Sequence, residues 1–142
     1  MRQITSTLLA ILLILAVQSV SAGFLHKPEI ISVYDGDTFT ARFNIWINQY
    51  VVSSVRVLGV DTPELGYRAK CEKEAELAIK ARDYVIKKLE SKDILVDVIG
   101  ADKFGNRVDA WVYVDGVGLD KLLIKQGLGR EYSGEKRKGW CE

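Results

Sequence analysis

From residue 29 onward the chain alternates apolar and polar side chains in short runs. The segment 29–34 (EIISVY) is strand-like and halts at Asp35-Gly36-Asp37-Thr38, after which Phe39, Ala41 and Phe43 return at every second position. Apolar and β-branched residues return over 50–60 (YVVSSVRVLGV), so three strands are predicted, joined by a tight turn and a polar connection. Beyond Asp61-Thr62-Pro63-Glu64 and a loop holding Gly66, the period changes. Ala75, Ala78, Ile79, Val85, Ile86 and Leu89 fall three and four residues apart with Glu and Lys between them, which predicts a helix with one apolar face. That face reads as core packing and the basic residues as its wet side. Two further strands, 94–99 and 108–114, flank a turn at 102–106; in the second, Val108, Ala110, Val112 and Val114 share a face. Asp115-Gly116 ends that strand, and Leu119, Leu122, Leu123 and Gln126 predict a short helix closed by Gly127. Five strands, with a helix after the third and another at the C-terminal end, predict an α+β chain built on a small closed β-barrel of OB type.

The first 22 residues follow a different rule. Arg2 is their only charge, residues 8–17 are apolar throughout, and Val20-Ser21-Ala22 offers small side chains where a signal peptidase would cut. The apolar run is too short for the roughly 20 residues that a membrane-spanning helix needs. The expectation is a signal peptide over 1–22 and one domain over 23–142, secreted or periplasmic, monomeric, and without membrane association after cleavage. Without residues 1–22, basic and acidic side chains balance at 19 each. Any hold on a polyanion must then come from locally placed charge.

One histidine, His26, and two cysteines narrow the chemistry. Histidine-dependent triads, His-Cys zinc sites and four-cysteine cages are excluded. An enzyme with this composition must work with carboxylates and arginines. In an oxidising compartment Cys71 and Cys141 most simply form one disulfide, and two unpaired thiols are the alternative.

Two segments offer such groups. Asp35-Gly36-Asp37-Thr38 is by itself an ordinary turn between strands. Arg56-Val57-Leu58-Gly59-Val60-Asp61-Thr62-Pro63-Glu64 runs a strand carrying arginine into a turn whose backbone is stiffened by Pro63. Together they supply Asp37 and Asp61 as hard oxygen donors at strand ends, a nearby backbone carbonyl, Glu64 and Arg56. All-oxygen ligation favours Ca²⁺ or Mg²⁺, and a guanidinium fork beside a divalent cation suits a phosphate. The constellation points to phosphoryl chemistry.

The segments VYDGDTFTARF (33–43), VRVLGVDTPE (55–64), DKFGNR (102–107), AWVYVDG (110–116) and LIKQGLG (123–129) resemble, in order and spacing, the staphylococcal nuclease family of secreted, calcium-dependent nucleases with an OB-type barrel. The ending YSGEKRKGWC, with Cys71 in AKCEKE, is similar to a bacterial branch that carries a cysteine pair. The resemblance implies Asp37, Asp61 and the Thr62 carbonyl as Ca²⁺ ligands, Asp35 as an acidic neighbour behind them, Arg56 as the first phosphate-binding arginine and Glu64 as general base. Where the family has arginine directly after the turn glycine, this chain has Asn106. Counted back from Asp115-Gly116, Arg107 stands at the family's distance and is taken as the second arginine. Tyr132 lies one position from the family's base-stacking tyrosine, whereas Tyr113 reads as packing. The implied activity is hydrolysis of DNA or RNA phosphodiesters, with Ca²⁺ as cofactor and the 5′ oxygen leaving. The alternative is a non-catalytic OB-fold module that binds single-stranded nucleic acid; members that have lost activity lack acidic residues that Asp37, Asp61 and Glu64 supply here. A calcium-binding structural domain would have no use for Arg56 and Arg107.

Overall fold

Pro28 can donate no backbone hydrogen bond, and the chain changes partner there. In the computed structural model, which describes residues 24–103 and 105–142, β1 (Phe24–His26) pairs with β6 (Ile94–Ala101), whereas β2 (Glu29–Val33) pairs with β3 (Thr38–Trp46). The signal peptide expected over 1–22 lies outside the described residues. β3 folds back antiparallel on β4 (Gln49–Val57), β4 lies parallel to β7 (Arg107–Val114), and β7 pairs antiparallel with β6 and with the short β8 (Val117–Gly118). The result is a mixed sheet of order β1-β6-β7-β4-β3-β2.

The closed five-stranded barrel is corrected on two counts. No ladder joins β1 to β2, so the hydrogen-bonded path stays open between its two edges, although only Lys27 and Pro28 separate those strands. The run 50–60 is also not one strand. It breaks at Leu58, whose amide donates to the Ala110 carbonyl at 2.9 Å, and Gly59 takes a φ of 81° that sends β5 (Gly59–Asp61) away to pair with β9 (Arg130–Tyr132). A side chain at Gly59 would meet the Trp111 ring at 2.7 Å, so glycine is required there for two reasons. Among the described residues the architecture is α+β: one mixed sheet, one two-stranded ribbon and two helices.

Among the described residues the helices are α1 (Glu72–Leu89), reached through a 3₁₀ turn at Gly66–Arg68, and α2 (Leu119–Lys125). Phe39, Val55, Val57, Val96 and Val112 from the sheet meet Val85 of α1 and Leu119 and Leu123 of α2 in one core. The helix predicted from periodicity is present, but its buried stripe is Glu74, Ala78, Ala81, Val85 and Leu89, while Ile79 and Ile86 face solvent. Small side chains face inward because α1 packs closely on the turn between β2 and β3. A Cβ at Gly36 would lie 2.9 Å from Ala81 Cβ and from Thr62 Cβ.

Candidate active site

That turn is wound tightly. The amides of Tyr34 and Asp35 both donate to the Thr38 carbonyl, at 2.9 and 3.2 Å, and the Asp37 amide donates to Asp35 Oδ1 at 3.0 Å. Because β3 and β4 pair with Thr38 opposite Arg56, and the Val57 amide donates to the Asp37 carbonyl at 2.8 Å, the Asp37 carboxylate is delivered to Arg56. Asp37 Oδ1 lies 2.6 Å from Arg56 Nη1, and Oδ2 accepts from the Thr62 amide at 3.1 Å and from Thr62 Oγ1 at 2.9 Å. One carboxylate thus joins the β2–β3 turn, the β4 strand and the turn after β5.

From the last residue of β5 onward the chain carries Asp61, Thr62 and Glu64 past the same point. The loop from Glu64 to Lys70 is fixed from beneath by Glu74 on α1, which accepts from the Glu64 amide at 3.3 Å and from the Lys70 amide at 2.8 Å. Glu74 is 4% exposed, so those two bonds satisfy a carboxylate that burial would otherwise penalise. Asp35, Asp37 and Asp61 are buried as well. Burial, reinforced by the neighbouring charge of Asp37, pushes the Asp35 carboxyl up to about 7. Asp61 is also raised, chiefly by burial, against the opposing pull of Arg137.

Arg137 is the residue that sequence reading missed. Its Nε donates to Asp61 Oδ1, its Nη1 to Glu64 Oε1, and its Nη2 to the Thr62 carbonyl at 3.2 Å. Within Glu135-Lys136-Arg137-Lys138 it looks like part of a solvated charge run. The available signal was Cys141: a disulfide to Cys71 brings the end of the chain back to the start of α1, and the structure contains that disulfide.

The two predicted arginines meet in a neighbouring groove of about 720 Å³, lined by Arg56, Arg107, Trp111, Tyr132 and Arg137 among others. Arg56 reaches the Val60 and Val57 carbonyls at 3.0 and 3.4 Å in addition to Asp37. Arg107 is held through Nε by Asp102 Oδ2 at 2.6 Å. A guanidinium has five N–H donors, so donors remain on both for an incoming anion. The expected residues are therefore brought together: acids and the Thr62 carbonyl on one side, Arg56 between, Arg107 and Tyr132 along the groove. Buried oxygen donors beside arginines can hold a hard cation and a phosphate diester side by side.

No curated protein matches the chain. A family model described as staphylococcal nuclease homologue matches residues 54–139, a span that contains Arg56, Asp61, Thr62, Glu64 and Arg107 and begins after Asp35 and Asp37. That span runs from the middle of β4 to the residue before the buried Trp140, well over half of the sequence, and on it the chain belongs to the staphylococcal nuclease homologue family, whose members are generally nucleic-acid-cleaving hydrolases.

Proposed function

We propose that this chain is a Ca²⁺-dependent phosphodiesterase that hydrolyses DNA, RNA or both, on a curled sheet of OB type. The observation that carries the reading is the convergence on Asp37, where the carboxylate touches both Arg56 and Thr62 and so links an acidic cluster to a phosphate-binding arginine. The donor set fits Ca²⁺. Asp37, Asp61 and the Thr62 carbonyl are hard oxygens, and positive charge is already accommodated against two of them by the Arg137 guanidinium. Bound there, Ca²⁺ would offset the charge of a phosphate oxygen.

The chain's own residues supply the rest. Glu64 takes the proton of the attacking water, from a backbone position that Glu74 fixes. Arg56 and Arg107 hold phosphoryl oxygens as negative charge builds up on them. Asp35 orients the Asp37 amide and with it the turn. Tyr132 offers its ring to a base in the groove. The Cys71–Cys141 disulfide supports secretion or a periplasmic location, because such bonds persist where the surroundings are oxidising. The protein acts as a monomer in this reading.

Incubating residues 23–142 with single-stranded DNA, double-stranded DNA and RNA tests it, with Ca²⁺, Mg²⁺ or a chelator added. Breakdown with Ca²⁺, little with Mg²⁺ and none with chelator is the expected result, since Mg²⁺ demands stricter octahedral geometry. Binding without breakdown in every condition would instead establish a non-catalytic nucleic-acid-binding module.

A further inference from the structure

After β9 the chain forms no regular element among its described residues, yet it is fixed on both sides of Arg137. Upstream, the Ser133 amide and hydroxyl donate to Glu135 Oε2 at 3.0 and 2.8 Å. Downstream, Trp140 is buried with the Arg130 guanidinium 4.0 Å above its ring, Arg130 Nη1 donates to the Gly139 carbonyl at 2.7 Å, and Cys141 is bonded to Cys71. The segment is a strap, and its disulfide lies beside Glu74, the residue that holds the Glu64 loop.

The strap directs all three guanidinium nitrogens of Arg137 at Asp61, Thr62 and Glu64. Those acceptors are two of the three proposed cation ligands and the proposed base. A guanidinium and a divalent cation need the same lone pairs, and two positive charges at one point repel. Each occupant therefore disfavours the other.

We propose that Arg137 is a tethered counter-ion that competes with the cation for Asp61 and Thr62, and that it must leave before the cation binds. This inference rests on the reading of Asp61 and Thr62 as cation ligands. The displaced side chain has somewhere to go, because Arg137 also lines the groove shared by Arg56 and Arg107. By linkage, whatever favours the guanidinium in its present place weakens the cation by the same factor.

Calorimetric titration of substrate-free residues 23–142 with CaCl₂ tests this, using the parent, Arg137→Gln, Arg137→Lys and Asp61→Asn. Arg137→Gln is expected to bind Ca²⁺ on the order of 10- to 100-fold more tightly, within the usual span of coupling between sites. Arg137→Lys, which keeps the charge but has a single head, falls between the two. Equal or weaker binding by Arg137→Gln, with Asp61→Asn abolishing it in the parent, overturns the competition and leaves the cation site standing. Absence of Ca²⁺ binding in the parent and in Arg137→Gln alike overturns the cation reading itself. Melting guards against a folding defect: with chelator Arg137→Gln should unfold at a lower temperature than the parent, and saturating Ca²⁺ should raise its midpoint by more. A Ca²⁺ response equal to the parent's counts against the proposal.

Discussion

Arg56 has three acceptors at once: Asp37 Oδ1, the Val60 carbonyl and the Val57 carbonyl. A planar fork can serve them and still present N–H groups to a phosphate, whereas a lysine ammonium is a single compact head that cannot hold this geometry. Arg56→Lys should therefore lose nearly as much as Arg56→Ala, on the order of 10² to 10³ in kcat, comparable to removing one oxyanion donor. Steady-state rates on single-stranded DNA with Ca²⁺ check it, and near-parental turnover by Arg56→Lys would remove the fork from the mechanism. At this scale the sequence was informative about placement wherever candidate residues share a compact motif: Asp35 and Asp37 flank one glycine, and Arg56 to Glu64 spans a single strand and turn. Arg137 was not legible, because a basic residue in a charged run looks the same whether it is solvated or folded back onto three oxygens. Glu74 was illegible for a similar reason, since nothing local marks a helical glutamate as the acceptor for two amides of a distant loop.

The elements were legible in kind more than in outline. Alternation located β3 and β7, and three-four spacing located α1, because those periods come from backbone geometry alone. Which stripe of α1 is buried depends on its neighbour. The turn at Gly36 admits only a small side chain, Ala81, and the stripe that carries it is buried, so Ile79 and Ile86 are left outside. β9 escaped notice because three residues, Arg130-Glu131-Tyr132, carry no period, and their pairing depends on β5 having turned away at Gly59. The close approach of helix and turn makes a prediction of its own. Gly36→Ala would press a methyl group to 2.9 Å from both Ala81 Cβ and Thr62 Cβ, where neither neighbour is a flexible side-chain end. Overpacking of this kind costs about 1 to 3 kcal/mol, to be read from the urea midpoint. Relief must come from moving the turn, which carries Asp35 and Asp37, so Ca²⁺ affinity should fall along with stability. Full stability together with parental affinity would show that the turn has room that the structure does not reveal.

At the scale of the whole molecule the disulfide performs two tasks that pull in opposite directions. It closes a loop between residues 70 positions apart, and in the chain-entropy model this stabilises the fold by roughly 4 kcal/mol. It also anchors the strap that holds Arg137 on Asp61, Thr62 and Glu64. Opening it with dithiothreitol should thus lower the unfolding free energy extrapolated from urea melts by an amount approaching that figure, while the same treatment raises Ca²⁺ affinity, because a guanidinium on a loosened strap spends less time on the shared oxygens. Arg130 over Trp140 still holds part of the strap, so the gain should be smaller than that of Arg137→Gln. The two effects separate in one experiment: urea melts of oxidised and reduced protein with chelator and with saturating Ca²⁺. Since a ligand stabilises the folded state by RT ln(1 + [L]/Kd), Ca²⁺ should recover a larger share of stability in the reduced protein than it adds to the oxidised one. If Ca²⁺ adds less after reduction, the strap organises the cation site instead of obstructing it, and Arg137 holds the ligands in place for the ion.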